Sequence, residues 1–183
     1  MDFYIILLAI ILVLIFLSYH VVFYFRTKVP IIITPKKFII NLVDHIKQNN
    51  LLDSNSVVYE LGSGWGDFSF AIENLNPQKI IAYELSFIHI FWSKIKAKIR
   101  KSKISFEMKD FFQADLSDAD FIYIFLVPKI VDKVWKKMKQ ECKTDTMMVL
   151  LGHELSNEKY LYKIKTNPDK KDSTYYYFYR IDK

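Results

Sequence analysis

The chain has 183 residues, is 51% apolar and carries a formal charge of +6 from 26 basic and 20 acidic side chains, which excludes a disordered chain. Four glycines and five prolines exclude collagen-like and low-complexity classes, and the single Cys142 excludes an internal disulfide framework and a Cys-based zinc cluster. The four histidines (His20, His45, His89, His153) lack the i,i+4 spacing of a helical zinc site, so no metal is expected, and only Arg26, Arg100 and Arg180 are arginine, so no nucleic-acid partner is expected either.

The first element is an apolar run. Phe3 to Phe25 contains no Asp, Glu, Lys or Arg, and residues 5–17 are apolar without a break. As a helix it would extend about 34 Å, enough for a hydrocarbon core of about 30 Å. Tyr4 at one end and Tyr19, Phe23, Tyr24 and Phe25 at the other suit the two interfaces. A cleaved signal peptide would need a basic start and a small-residue cleavage site, and neither is present. The expectation is a transmembrane anchor over residues 1–26, a linker over 27–33 and a domain over 34–183. Arg26, Lys28, Lys36 and Lys37 follow the span, which places the domain on the cytoplasmic side of a single-pass protein and offers contacts to anionic lipid headgroups.

From there helix and strand patterns alternate. Thr34-Pro35 reads as an N-cap followed by proline at the first helical position, with Phe38, Ile39, Leu42, Val43 and Ile46 on one face. Strands are expected at 57–61, 79–84, 104–108, 120–127 and 147–151. Between them lie helices marked by Phe68, Ala71, Ile72 and Leu75, by Ile88, Phe91, Trp92, Ile95 and Ile99, and by Val131, Val134, Trp135, Met138 and Cys142. A hairpin is expected from 160–165 and 174–181 around Asn167-Pro168-Asp169. The resulting class is α/β: a mostly parallel sheet covered by helices on both faces, ending in an antiparallel hairpin, with any ligand beyond the C-terminal strand ends.

The chemistry concentrates where the first strand ends, in Val57-Val58-Tyr59-Glu60-Leu61-Gly62-Ser63-Gly64-Trp65-Gly66-Asp67. Three glycines at alternate positions allow a ligand to touch the backbone, and the following helix offers free N–H groups. The dinucleotide fingerprint is G-x-G-x-x-G, whereas here the spacing is G-x-G-x-G, with Asp67 at the third fingerprint position and Glu60 just ahead. A carboxylate at Glu60 would repel a pyrophosphate and attract a cationic ligand.

This motif resembles the first motif of class I S-adenosylmethionine-dependent methyltransferases. The resemblance runs through the whole region after the linker and implies a Rossmann-like fold with S-adenosyl-L-methionine as cofactor. It implies that Glu60, Gly62, Ser63, Gly64, Gly66 and Asp67 surround the cofactor. Glu84 at the end of the second strand, followed by Leu85, would take the ribose. Asp110 after the third strand would recognise adenine beside Phe111. A closer similarity, in Tyr59-Glu60-Leu61-Gly62-Ser63-Gly64, Tyr83-Glu84-Leu85, Lys109-Asp110-Phe111-Phe112, Asp115-Leu116-Ser117-Asp118 and Ile124-Phe125-Leu126-Val127-Pro128, is to membrane-anchored protein-lysine methyltransferases that modify the adenine nucleotide translocase and the ATP synthase c-subunit.

Several of these residues have plain structural readings as well. Asp67 suits the first turn of a helix, Asp110 suits a cap, and Phe111, Phe112 and Trp65 suit packing. Phe125, Leu126, Val127 and Pro128 replace the N/D-P-P-Y/F signature of DNA amino-methylating enzymes and should line the acceptor entrance. No residue identifies itself as a catalytic base. The expected function is N-methylation of a lysine on a membrane-associated protein. A lipid or small membrane-soluble acceptor is one alternative, and a non-catalytic cofactor-binding membrane protein is the other.

Overall fold

The computed structural model describes residues 2–27 and 32–182, with the side chains of Asp2 and Arg26 left aside. Residues 28–31, which include most of the expected linker and the basic Lys28, lie outside the described residues, as does Lys183. The chain divides into two compact units, residues 1–32 and 33–183.

The first unit is one helix, α1 (Asp2–Thr27). Its stretch Phe3–Phe25 is long and apolar enough to cross a membrane, and none of it is buried. Every described buried residue, from Ile39 to Ile181, belongs to the second unit, which therefore carries its own complete core.

In the second unit, α2 (Lys36–Gln48) precedes β1 (Val57–Leu61), α3 (Asp67–Ile72), β2 (Lys79–Glu84), α4 (Phe87–Arg100), β3 (Ser105–Met108), β4 (Phe121–Ile124), α5 (Pro128–Glu141), β5 (Met147–Leu151), β6 (Tyr162–Lys165) and β7 (Tyr175–Arg180). The seven strands form one sheet in the order β3-β2-β1-β4-β5-β7-β6. The first five are parallel, and β7 is antiparallel to both neighbours. Placing β1 between β2 and β4 creates a switch point, where a crevice opens beyond the strand ends.

Two apolar cores flank the sheet. One holds Tyr59, Leu61, Ile122 and Ile124 against Val131, Val134, Trp135 and Met138 of α5. The other holds Val58, Ile80, Ala82 and Phe121 against Leu42 and Ile46 of α2, Phe68 and Ile72 of α3, and Ile90 and Ala97 of α4. Asn41 donates to the Thr166 carbonyl, Lys37 pairs with Asp169 beyond the end of β6, and His45 reaches Tyr162 at its start. Thus α2 runs antiparallel to β6, and the chain enters the domain at the edge where β1 and β4 end.

The structure corrects several local expectations. Pro35 occupies the cap position of α2 and no side chain caps the helix, so Thr34 is not its N-cap. The fourth strand stops at Ile124, because residues 125–127 leave the sheet as a loop ending at Pro128, the start of α5. The third strand and the hairpin strands also begin one or two residues late. The largest correction concerns α4. Its buried residues are His89, Ile90, Ser93 and Ala97, while Phe91, Trp92 and Ile99, expected on the inner face, are 48%, 53% and 77% exposed.

Candidate cofactor site at the strand ends

The glycine loop is pinned where β1 leaves the sheet. The N–H groups of Gly62 and Ser63 both donate to the Tyr83 carbonyl at 2.9 Å, and Gly66 N–H closes a turn onto the Ser63 carbonyl at 2.8 Å. Two of the glycines are needed because neighbours stand where a side chain would be. A Cβ on Gly66 would lie 2.5 Å from the Phe106 ring, and one on Gly62 would lie 2.9 Å from Leu126. All three glycines have positive φ (+82°, +51° and +72°), but a Cβ on Gly64 would meet nothing within 4 Å. The loop therefore presents bare backbone to open space at its middle glycine.

Glu84 completes this cradle. One carboxylate oxygen accepts from Gly64 N–H at 2.9 Å, and the other accepts from the N–H groups of Leu85 and Ser86 at 2.8 Å. Leu85 beside it is 45% exposed, and Met108, paired in register with Glu84, is 57% exposed. Met108 is a residue that periodicity could not single out, since it reads as the last apolar position of a strand. Ser63 adds a buried hydroxyl with no hydrogen-bond partner among the described residues, a polar atom left for a ligand.

Glu60 stands elsewhere in the arrangement than its charge suggested. It is 5% exposed, and its carboxyl accepts from the backbone N–H of Ser69 at 3.0 Å and from the Ser69 hydroxyl at 2.5 Å. Burial pushes its pKa up to about 8 against the opposing pull of those hydrogen bonds. At neutral pH it is mainly a neutral carboxyl that fixes the first turn of α3, and the carboxylate facing the crevice is that of Glu84.

The remaining candidates divide. Asp67 opens α3, a favourable position for an acid, and pairs with Lys96 of α4 at 3.1 Å. Asp110 caps the short 3-10 turn Phe111–Gln113 by accepting from Phe112 N–H at 3.0 Å. Phe111 lies in the core and Phe112 is partly exposed beside it. Trp65 packs edge-on against His89, with ring centres 4.2 Å apart. The loop of Phe125, Leu126 and Val127 joins the site directly: Leu126 covers Gly62, and Phe125 lies 3.5 Å from where a Cβ on Gly152 would be. His153 follows Gly152, half-buried, and burial lowers its pKa, so its imidazole is mainly neutral at pH 7.

These features fit a cofactor of the expected kind: bare backbone at Gly64, a carboxylate at the end of β2 for vicinal hydroxyls, and apolar surface at Leu85 for a flat ring. Comparison with known proteins agrees. The model of a family described as ANTKMT methyltransferase domain matches residues 60–160. A protein-lysine N-methyltransferase from Saccharolobus islandicus is 27% identical over 131 residues, covering 69% of this chain and 76% of that protein. Among solved structures, an RNA methyltransferase from Salinibacter ruber in complex with S-adenosyl-L-homocysteine matches with a TM-score of 0.71 and 20% identity, over 83% of this chain and 95% of that one. A magnesium protoporphyrin IX methyltransferase from Synechocystis with bound S-adenosylmethionine matches with a TM-score of 0.63 and 10% identity, over 80% of this chain and 79% of that one.

Proposed function

We propose, from the premise that this chain belongs to the ANTKMT methyltransferase domain family and is an S-adenosylmethionine-dependent methyltransferase, that it methylates a lysine side chain of a membrane-associated protein. The observation that carries the reading is the convergence of three segments at one strand edge. Gly64 with its open approach, Glu84 hydrogen-bonded to Gly64 N–H, and the 125–127 loop lying on Gly62 meet there. The similarity to a protein-lysine N-methyltransferase favours lysine as acceptor.

In this reading Glu84 holds the ribose hydroxyls, Gly62, Ser63, Gly64 and Gly66 give backbone and hydroxyl contacts, and Leu85, Asp110 and Phe111 frame the adenine. Glu60 and Asp67 serve the same cradle from behind, through Ser69 and Lys96. The cofactor supplies an electrophilic methyl on a positively charged sulfur. The protein's own task is to hold the acceptor nitrogen in line with that methyl. The acceptor must arrive as a neutral amine, so its proton is lost before transfer. Apolar walls at Phe125, Leu126, Val127 and Pro128 favour that loss by desolvating the ammonium. The products are the methylated lysine and the neutral thioether.

The membrane part of the proposal is supported by the apolar stretch Phe3–Phe25 and by where the chain enters the domain. A tether through residues 28–33 has an extended limit of roughly 20 Å, so an anchored domain would stay close to the membrane, at high effective concentration toward targets in it. The basic residues after the span favour a cytoplasmic domain by the positive-inside rule, and there Arg26, Lys28, Lys36 and Lys37 would draw it toward anionic headgroups. The test compares the full chain with a form lacking residues 1–26 for labelling of host membrane and soluble fractions. The reading predicts that removal of the anchor sharply reduces membrane-protein labelling. Equal labelling by both forms, or label in nucleic acid, would overturn it.

A further inference from the structure

The outward face of α4 is an unusual surface. Ile88, Trp92, Ile95 and Ile99 recur at i, i+4, i+7 and i+11 and form one stripe along the helix. Phe87 and Phe91 form the neighbouring stripe, with rings stacked 5.9 Å apart. Phe87 is 60% exposed and Phe91, Trp92 and Ile99 are also exposed. A globular domain normally turns such a stripe inward. Here the inward positions are taken by His89, Ile90, Ser93 and Ala97.

The charge on the helix is equally one-sided. Residues 87–100 contain Lys94, Lys96, Lys98 and Arg100 and no acid. Lys96 and Arg100 are engaged with the domain: Lys96 pairs with Asp67, and both lie over the Phe70 ring. Lys94 and Lys98 are exposed and form no salt bridge among the described residues. Nearby carboxylates are already used. Asp67 faces Lys96, and Glu73 accepts from the Ser102 hydroxyl and the Lys103 backbone N–H.

We propose that the outer face of α4, with Phe91 and Trp92 at its centre and Lys94 and Lys98 on its flank, is a lipid-binding surface that lays the domain on an anionic bilayer. Three observations choose the bilayer as occupant. Exposed Trp and Phe beside lysines and no acid match the chemistry of the headgroup boundary, where aromatic rings are at home and cations meet anionic lipid. A symmetric second copy would bring unpaired Lys94 and Lys98 of two identical helices together without a compensating acid. The chain also carries its own membrane-length apolar helix, so the surface needed is present wherever that helix inserts. This face goes beyond the acceptor proposal and does not depend on it, since lipid binding stands whether or not lysine is the acceptor. Its aromatic end follows β2, at the same edge as Glu84, so the cofactor crevice would be held about one helix diameter, roughly 10 Å, above the headgroups.

The test uses residues 33–183, the unit with its own core, and vesicles of phosphatidylcholine alone or with 30 mol% phosphatidylserine. Cosedimentation should show binding to the mixed vesicles, with partitioning at least tenfold weaker on pure phosphatidylcholine. Phe91→Ser with Trp92→Ser should reduce partitioning at least tenfold, and Lys94→Glu with Lys98→Glu should abolish the preference for anionic vesicles. In the unmutated domain, bromine-labelled lipid should quench a fluorescence component that Trp92→Phe removes, a readout independent of whether the serine variant folds. The proposal is overturned by no binding to mixed vesicles, by unchanged partitioning of well-folded variants, or by quenching that survives Trp92→Phe. It is equally overturned if light scattering shows a dimer that the same substitutions disperse, since the face would then belong to a second copy.

Discussion

Helices α4 and α5 carry similar apolar repeats in sequence and use them in opposite ways. In α5 the repeat Val131, Val134, Trp135 and Met138 is buried against the sheet. In α4 the larger repeat faces outward, and the inner face mixes apolar Ile90 and Ala97 with polar His89 and Ser93. What each helix covers explains the difference. Helix α5 lies on the side chains of β1, β4 and β5, which offer a broad apolar floor. Helix α4 lies partly against the glycine loop: the Ser93 hydroxyl approaches the Gly64 carbonyl at 3.5 Å, and His89 packs under Trp65 and bonds the Ser86 hydroxyl. A bulky apolar residue at Ser93 would push that loop out of shape. The helix therefore interrupts its inner apolar stripe with His89 and Ser93 to shape the site, and its larger apolar residues are left to the outside.

That contrast can be broken by substitution. Trp135→Ala, in the α5 core, should cost about 3–5 kcal/mol in chemical denaturation, whereas Trp92→Ala on α4 should change stability by no more than about 0.5 kcal/mol. Comparable losses at the two tryptophans would mean that α4 buries its outer face. Ser93→Leu tests the inner face. By apolar pattern alone it should stabilise the helix, but overpacking against the glycine loop should destabilise the domain by about 1–3 kcal/mol and weaken S-adenosylmethionine binding in calorimetry.

The glycine loop itself sharpens the comparison. Gly66→Ala should destabilise the fold, because the added carbon meets the Phe106 ring, while Gly64→Val meets no neighbour and should remove cofactor affinity, along with some stability lost to strain at its positive φ. Glu84→Ala should lower affinity for S-adenosylmethionine by about 1–3 kcal/mol. If it binds normally, the ribose contact lies elsewhere.

A separate effect is expected in pH dependence. Because burial raises the Glu60 pKa to about 8, the folded state holds a proton that the unfolded chain releases near the ordinary glutamate value. Its contribution is fully present at low pH and is lost as pH rises from about 4.5 to 8. Glu60→Gln, which keeps an oxygen for Ser69, should flatten the decline in stability between pH 5 and 8 by up to about 4 kcal/mol. An unchanged slope would place the titrating group elsewhere.

Much of the fold was legible because its boundaries are chemical. Strands β1, β2 and β5 match their expected limits, since each is a short apolar run cut off by a glycine, a turn or a change to polar sequence. The fourth strand was overextended because Phe125, Leu126 and Val127 continue its apolar run. Leu126 and Phe125 are apolar for another purpose, packing on the glycine loop and beside Gly152, and only tertiary structure shows that. The glycine motif and Glu84 were legible through spacing. The burial of Glu60 and its bond to Ser69 were not, because a carboxylate and a neutral buried carboxyl share one letter. Leu126 over Gly62, and the outward stripe of α4, likewise depend on which surface each side chain meets.

The central claim is that the methyl group arrives on a lysine of a membrane-associated protein. The direct measurement is amino-acid and mass analysis of a host membrane fraction after incubation with the full chain and methyl-labelled S-adenosylmethionine. The account predicts label recovered as methyllysine from membrane proteins, each modified peptide heavier by steps of one methyl group, and no such label with Gly64→Val. Label recovered in the lipid extract, or in soluble RNA, with none in methyllysine, would contradict it.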